Sequence, residues 1–330
     1  MKKNLVNFIK EKNSKKFLFT AGPPSLTKEN ILGLGPCFGR NDSQYLKTEK
    51  KVLKKLKNIS GHKKIVQMQG SGTFALEMVS MNFLYGKVLI ISTGYYSDRL
   101  FNLTKNAKKI LGKISKISKI NWKDLENFSG KFDWVWACPT ETSRGLKIPI
   151  TELKKFSNKI KAKLALDATA SIGLESFHDL ADVISYSSCK GLFGLTGACF
   201  IAYNVNPQNK VDSFILDINS HIQKKMTGPY HIIQSLEKVL DKHKNFTHAV
   251  KANKKKFLKI FENKLIYDIK NQPLICTYAK CKISSKDKRV IFYKPRINLS
   301  GSVICHLGEI HLGKLASGQI LNKIYIKKNT

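Results

Sequence analysis

The sequence predicts an α/β fold: a mostly parallel sheet with helices on both faces, followed by a smaller C-terminal α+β unit. Three observations carry this. From about residue 64 to 204, short runs rich in β-branched residues (KIVQM, KVLIIS, WVWACP, KLALDA, DVISYSS, GACFIAYN) alternate with helix-like stretches. Parallel strands need such crossover helices, so the alternation is the signature of a βα sheet. The chain has 330 residues, 42% of them hydrophobic. That length suits about two domains, and the apolar content is enough to fill a core. After residue 229 the pattern changes to two helices and then short strands broken by Gly and Pro.

In chain order, the first ~20 residues read as a short arm or helix. The segment FTAGPPS at 19–25 is a loop stiffened by two prolines. Residues 43–59 place Leu46, Val52, Leu53, Leu56 and Ile59 on a helical period, with Lys and Glu between them. In PYHIIQSLEKVLDK, at 229–242, a proline precedes apolar residues at helical spacing. A Lys-rich helix follows at about 246–265. The division expected is an arm at 1–20, a large unit at 21–245 and a small unit at 246–330.

Lys plus Arg is 58 against 23 Asp plus Glu, a net charge of +35. Only five of the basic residues are arginine: Arg40, Arg99, Arg144, Arg289 and Arg296. The lysines are spread along the whole chain. Nucleic-acid readers concentrate their charge on one face and use arginine for bases and phosphates, so a nucleic-acid partner is not expected. The charge does favour anionic small molecules. The seven cysteines form no CxxC, and most lie in apolar segments, which reads as buried reduced thiols. The eight histidines have no HExxH or paired spacing, so no metal is expected. No apolar run reaches the ~18 residues of a membrane span. The basic start lacks an apolar h-region, so a cytoplasmic location is expected.

Five segments could carry chemistry, each at the end of an apolar strand. Gln69-Gly70-Ser71-Gly72-Thr73 precedes an apolar helix. A helix N-terminus with free N–H groups and two hydroxyls suits a phosphate, though a capped tight turn has the same composition. Gly94-Tyr95-Tyr96-Ser97 offers an aromatic for a flat ring, or a core contact. Pro139-Thr-Glu-Thr-Ser-Arg-Gly145 offers polar side chains to a ligand edge, or is a solvated loop. Asp167, in LALDATAS, could pair with a ligand cation or cap the next helix. Lys190, in SSCKGLFG, ends an apolar strand and could act as nucleophile or base, or be a surface lysine. In an open α/β sheet these segments converge at one edge. Together they match the needs of pyridoxal phosphate: a phosphate anchor, a ring stack, a partner for the ring nitrogen and a Schiff-base lysine.

With these motifs in this order the sequence resembles the class V aminotransferases of the fold-type I pyridoxal phosphate enzymes. Among them it is most similar to 2-aminoethylphosphonate–pyruvate transaminases and serine–pyruvate or alanine–glyoxylate aminotransferases. The resemblance rests on GSGTFALE at 70–77, GYYSDR at 94–99, TETSRG at 140–145, LDATASIG at 166–173, SYSSCKG at 185–191 and TGPYH at 227–231. It implies a seven-stranded, mostly parallel sheet in the large unit. It also implies that Lys190 carries the cofactor and that Asp167 pairs with the ring nitrogen. Ser71, Gly72 and Thr73 would bind the phosphate, Tyr96 would stack and Thr142 would contact ring substituents. Thr227 would reach the cofactor phosphate of a neighbouring subunit in a homodimer.

The activity implied is transfer of an amino group from a small amine or amino acid to a keto acid such as pyruvate or glyoxylate. Two departures stand out. Cys189 precedes the lysine where relatives have Gln or Asn, and Val303 stands where they carry an arginine that clamps the substrate carboxylate. Arg144 is the candidate substitute, with Arg289 and Arg296 as others. A lyase, decarboxylase or desulfurase reaction on the same scaffold remains open, the last with Cys281 as its reactive thiol, as does nucleic-acid binding by the basic charge.

Overall fold

Seven strands form one sheet in the computed structural model, which describes residues 2–22, 25–313 and 319–327. In chain order they are β1 (Lys64–Gln69), β2 (Gly86–Ser92), β3 (Ile114–Asn121), β4 (Trp134–Ala137), β5 (Lys163–Asp167), β6 (Val183–Ser187) and β7 (Ala198–Tyr203). Their spatial order is β1-β7-β6-β5-β4-β2-β3. All run parallel except β7, which is antiparallel to both β1 and β6. Six of these strands are the six apolar runs. The seventh, β3, reads ISKISKIN, and its frequent lysines and serines hide it from a search for apolar runs. It is an edge strand, where lysines block further pairing.

Period-two alternation divides the core between the two faces of the sheet. Leu89, Ile91, Val135, Leu164 and Leu166 bury on one face. Their partners come from α2 (Ser43–Ser60), α5 (Ile150–Lys159) and α6 (Tyr230–Asp241), among them Val52, Leu56, Leu153 and Leu236. Val88, Ile90, Trp134, Trp136 and Ala165 bury on the other face. There they meet Leu76 and Val79 of α3 (Gly72–Asn82) and Leu100 of α4 (Tyr95–Leu111).

Helix α2 begins at Asp42, whose side chain accepts hydrogen bonds from the N–H groups of Gln44 and Tyr45, and it ends at Gly61 in the left-handed region (φ 72°). Its buried face differs from the expected one. Leu46 is 38% exposed, while Tyr45 and Glu49 are buried. The Tyr45 hydroxyl donates to the Glu49 carboxylate at 3.0 Å, so a polar pair takes the inner positions.

The first residues form helix α1 (Lys2–Ser14), and Phe17–Phe19 pairs in parallel with Val290–Phe292. That pairing ties the start of the chain to its C-terminal part. Pro23 and Pro24, in the loop expected at 19–25, lie outside the described residues. After α6 comes α7 (His243–Phe261), which stacks Phe257 and Phe261 against a small cluster with Phe19, Ala279 and Ile304. Ala279 and Ile304 belong to the antiparallel pair β8 (Cys276–Ala279) and β9 (Ser302–Cys305). Among the described residues no helix is long and apolar enough to cross a membrane.

Candidate active site

Strands β1, β2, β4, β5 and β6 share one direction, so the segments after them meet at the C-terminal edge of the sheet, where open α/β folds bind ligands. They line a cavity of about 330 Å³. Ser71, Gly72 and Thr73 enter it from the start of α3, and Tyr96 from the start of α4. Thr142 comes from the segment after β4, Asp167 from the end of β5, and Lys190 from the turn after β6. Seven of the nine side chains or backbone positions expected from the sequence therefore stand around one space.

Local backbone needs explain how each arrives. Ser71 precedes α3 with no side-chain cap bond, which leaves first-turn N–H groups free to hold an anion. A Cβ on Gly72 would stand 3.0 Å from the Thr169 hydroxyl and 3.7 Å from the Ser187 Cβ, so a larger residue would crowd the cradle. Lys190 adopts φ 54°, the left-handed region that non-glycine residues seldom enter. Such local strain persists where surrounding structure holds it, often at functional sites. Its neighbour Gly191 packs against the turn after β5, where a Cβ would come within 2.2 Å of the Ile172 carbonyl oxygen. This contact locks the lysine-bearing turn to the aspartate-bearing one. The Lys190 ammonium lies 5.4 Å from the Tyr96 ring centroid.

Asp167 is 5% exposed. Its carboxylate accepts the Thr169 N–H at 3.0 Å. Among the described residues no Lys, Arg or His nitrogen lies within 4 Å of it. A buried carboxylate without a cation is costly, so the site is suited to a ligand that brings a positive N–H. The hydroxyl of Thr169, also at the cavity wall, is buried with no hydrogen-bond partner.

Glu141 was not singled out from the sequence, where it is one polar residue in TETSRG. It is fully buried, and its carboxylate accepts the N–H groups of Tyr96 (3.0 Å), Ser97 (3.3 Å) and Ser143 (3.3 Å), with the Thr93 hydroxyl at 3.2 Å and the Ser143 hydroxyl. Burial pushes its pKa up, and these hydrogen bonds oppose the shift. The carboxylate thereby pins the first turn of α4 and with it Tyr96. A carboxylate at that position also suits the positive end of the helix.

Two expected residues lie elsewhere. Arg144 is exposed and does not line this cavity; it stands near Tyr267. Thr227 lines a separate groove of about 640 Å³, walled by Tyr45, Gln67, Met68 and Tyr230. Cys189 does line the cavity, with its sulfur 3.2 Å from the Ser187 hydroxyl oxygen. Val303 is 2% exposed and packed in the core on β9, and Cys305 on the same strand is 1% exposed. Cys281 is half-buried, packs beside the α7 cluster and is not part of the cavity wall. In place of a strand-borne arginine, Arg99 and Arg296 line the cavity.

No family model matches the chain. The chain is 26% identical over 251 residues to the 2-aminoethylphosphonate–pyruvate transaminase of Lysinibacillus sphaericus, covering 68% of each chain. It is 25% identical over 197 residues to 2-aminoethylphosphonate–pyruvate transaminase 2 of Paraburkholderia xenovorans, covering 53% of each. The chain thus spans between about half and two thirds of the length of these curated relatives. Its structure is similar to the crystal structure of pyridoxamine–pyruvate aminotransferase from Mesorhizobium loti, with a TM-score of 0.74 and 19% identity, over 93% of this chain and 92% of that one. The shared architecture is the fold-type I aminotransferase fold.

Proposed function

We propose that this chain, a relative of the class V aminotransferases, is a pyridoxal-phosphate-dependent transaminase that moves an amino group from a small amine or amino acid to a keto acid. The observation that carries the reading is the pairing of a buried, cation-free carboxylate (Asp167) with a lysine in a strained turn (Lys190) across one cavity. The residues fit the cofactor. Ser71, Gly72 and Thr73 would hold its phosphate at the open start of α3, Tyr96 would lie against its ring, and Thr142 and Thr169 would hydrogen-bond its edge. Asp167 would accept the ring N–H, and Lys190 would carry the group covalently. Pyridoxal phosphate supplies an electron sink for negative charge on the amine-bearing carbon.

The chain's own groups supply the rest. Asp167 keeps a proton on the ring nitrogen by making the charged form the more stable one. The Lys190 amine, once free, takes a proton from the substrate carbon and returns one on the neighbouring carbon, as base and then acid. Glu141 holds Tyr96 in position through the α4 backbone. A 2-aminoethylphosphonate-like amine, serine or alanine is the proposed donor, with pyruvate or glyoxylate as acceptor. We further propose that the protein acts as a homodimer in which Thr227 serves the partner's cofactor. The proposed division is an arm at 1–20, a large unit at 21–245 and a small unit at 246–330. A cytoplasmic location is part of the same proposal.

The test is direct. Purified protein given pyridoxal phosphate should develop a violet-edge absorbance band, and borohydride should fix the cofactor to Lys190. With a panel of amino donors and pyruvate, alanine should form. A protein that stays colourless and forms no alanine with any donor would falsify the reading. Release of sulfide or carbon dioxide without consumption of a keto acid would assign a different reaction to the same site.

A further inference from the structure

The anion clamp that relatives carry on the C-terminal strand has no counterpart there, because Val303 and Cys305 are buried in the core. The cavity nevertheless has a cationic wall. Arg99 projects from α4, and Arg296 arrives from the segment between Phe292 and Ser302. The two guanidiniums flank one phenol. Arg296 donates to the Tyr95 hydroxyl oxygen at 3.1 Å, and its central carbon lies 5.4 Å from that ring's centroid. Arg99 stands 5.6 Å from the Tyr95 ring and 5.0 Å from the Tyr96 ring, and it donates to the Thr73 hydroxyl at 3.0 Å. Hydrogen bonds from Arg296 and Arg99 pull the Tyr95 phenol below its ordinary pKa.

Neither cation is neutralised. Among the described residues the arginine that pairs with a carboxylate is Arg289, bound to Asp287 at 2.8 Å and away from the cavity. Two guanidiniums held this close repel each other, and an aromatic face offsets only part of that. Arginine forks match carboxylate and phosphate oxygens, and one carboxylate saturates one fork. A tetrahedral dianion has oxygens enough for both forks and a charge that balances both.

We propose that Arg296, with Arg99 beside it, is the specificity-determining seat for the anionic end of the amino donor, and that it prefers a phosphonate or phosphate monoester to a carboxylate. This rests on the transaminase reading for the identity of the ligand's other end. It differs from the clamp expected from the sequence in both residue and segment. The seat is assembled from two parts of the chain that come together only on folding.

The test uses the cofactor-loaded protein, so that the Ser71–Thr73 end is occupied and the probe reports on the arginines alone. Ethylphosphonate and propionate lack an amine and cannot react. Calorimetric titration should find ethylphosphonate bound at least tenfold more tightly than propionate. Arg296→Gln should weaken ethylphosphonate ten- to a hundredfold, and Arg296→Lys should recover part of the loss. Arg296 is exposed, so both variants should fold. Equal ethylphosphonate affinity in wild type and Arg296→Gln would overturn the proposal, as would propionate binding as tightly as ethylphosphonate. The absorbance band and the Lys190 label, read in the same samples, report separately on the transaminase reading. An Arg296-dependent ethylphosphonate site without that band would keep the seat and discard the cofactor.

Discussion

Two cavities open on the segment from β1 into α3, and they differ in size and in kind. The groove of about 640 Å³ runs along β1 and α2 and is walled by Tyr45, Leu53, Met68, Phe74, Met226 and Tyr230. The cavity at the strand ends is half as large, about 330 Å³, yet it gathers a carboxylate, a strained lysine, unpartnered hydroxyls and two arginines. Volume alone would choose the groove. Chemistry chooses the smaller space, because polar groups that are buried and unmatched within the chain are matched by a ligand. The groove's own polar groups are already paired: Glu49 binds Tyr45, Gln67 and Lys224. What it lacks is a cover for its apolar wall, which a second copy of the chain would provide under the homodimer proposal.

The sharpest way to break this contrast is Lys190→Ala. If the smaller cavity is the reaction site, turnover in an alanine-forming assay should fall by at least ~10³-fold, the combined loss of a nucleophile and a general base. Borohydride should then leave no cofactor on the chain. Activity retained within tenfold would move the chemistry elsewhere. Asp167→Asn should cost about 10²-fold or more in turnover, since a neutral amide holds the ring proton far less well. A pH–rate profile unchanged in shape and height would remove Asp167 from the mechanism.

A smaller effect concerns what supports the cavity floor. His178 is buried and bonded to the Ser171 hydroxyl at 2.8 Å, beneath the turn that follows Asp167. Burial, with a smaller contribution from nearby His62, pushes its pKa down to about 4. The unfolded imidazole has a pKa of ~6.5, so below that value the unfolded chain binds more protons than the folded one. The stability this histidine contributes is complete above pH ~6.5 and is lost as the pH falls toward about 4, a change of order 3 kcal/mol. Urea midpoints across this range should decline, and His178→Gln should flatten part of the decline. Identical slopes in the two proteins would remove the histidine as a cause.

The smallest effect probes the groove. Thr227→Ala should raise the cofactor dissociation constant by about tenfold, the loss of one hydrogen bond to a charged group. The penalty should be visible only at concentrations where the dimer forms. An unchanged constant would disconnect the groove from the cavity.

Much of this was legible in the chain before folding was considered. Strand-end motifs carry their own chemistry, and the six apolar runs mark strands because β-branched residues fit a buried sheet. Helix limits followed from caps and period. Strand β3 was hidden because an edge strand buries few residues, so its lysines obscure the pattern. Tyr45 and Glu49 on α2 were missed because a buried polar pair looks like a solvent face when each residue is read alone. Glu141 was obscured for the same reason, since its value comes from N–H groups on α4 that lie far along the chain.

The sequence by itself determined which side chains end the parallel strands, and therefore that Lys190 and Asp167 stand at one sheet edge. Parallel pairing with crossover helices leaves few other arrangements. Only the tertiary structure decided which cations complete the site. Arg296 reaches Tyr95 across a separation of 201 residues, while Arg144, inside a site motif, turns outward. No local periodicity encodes such a meeting. It depends on how the C-terminal segment packs against the sheet edge, a sum of many small contacts distributed over the whole fold.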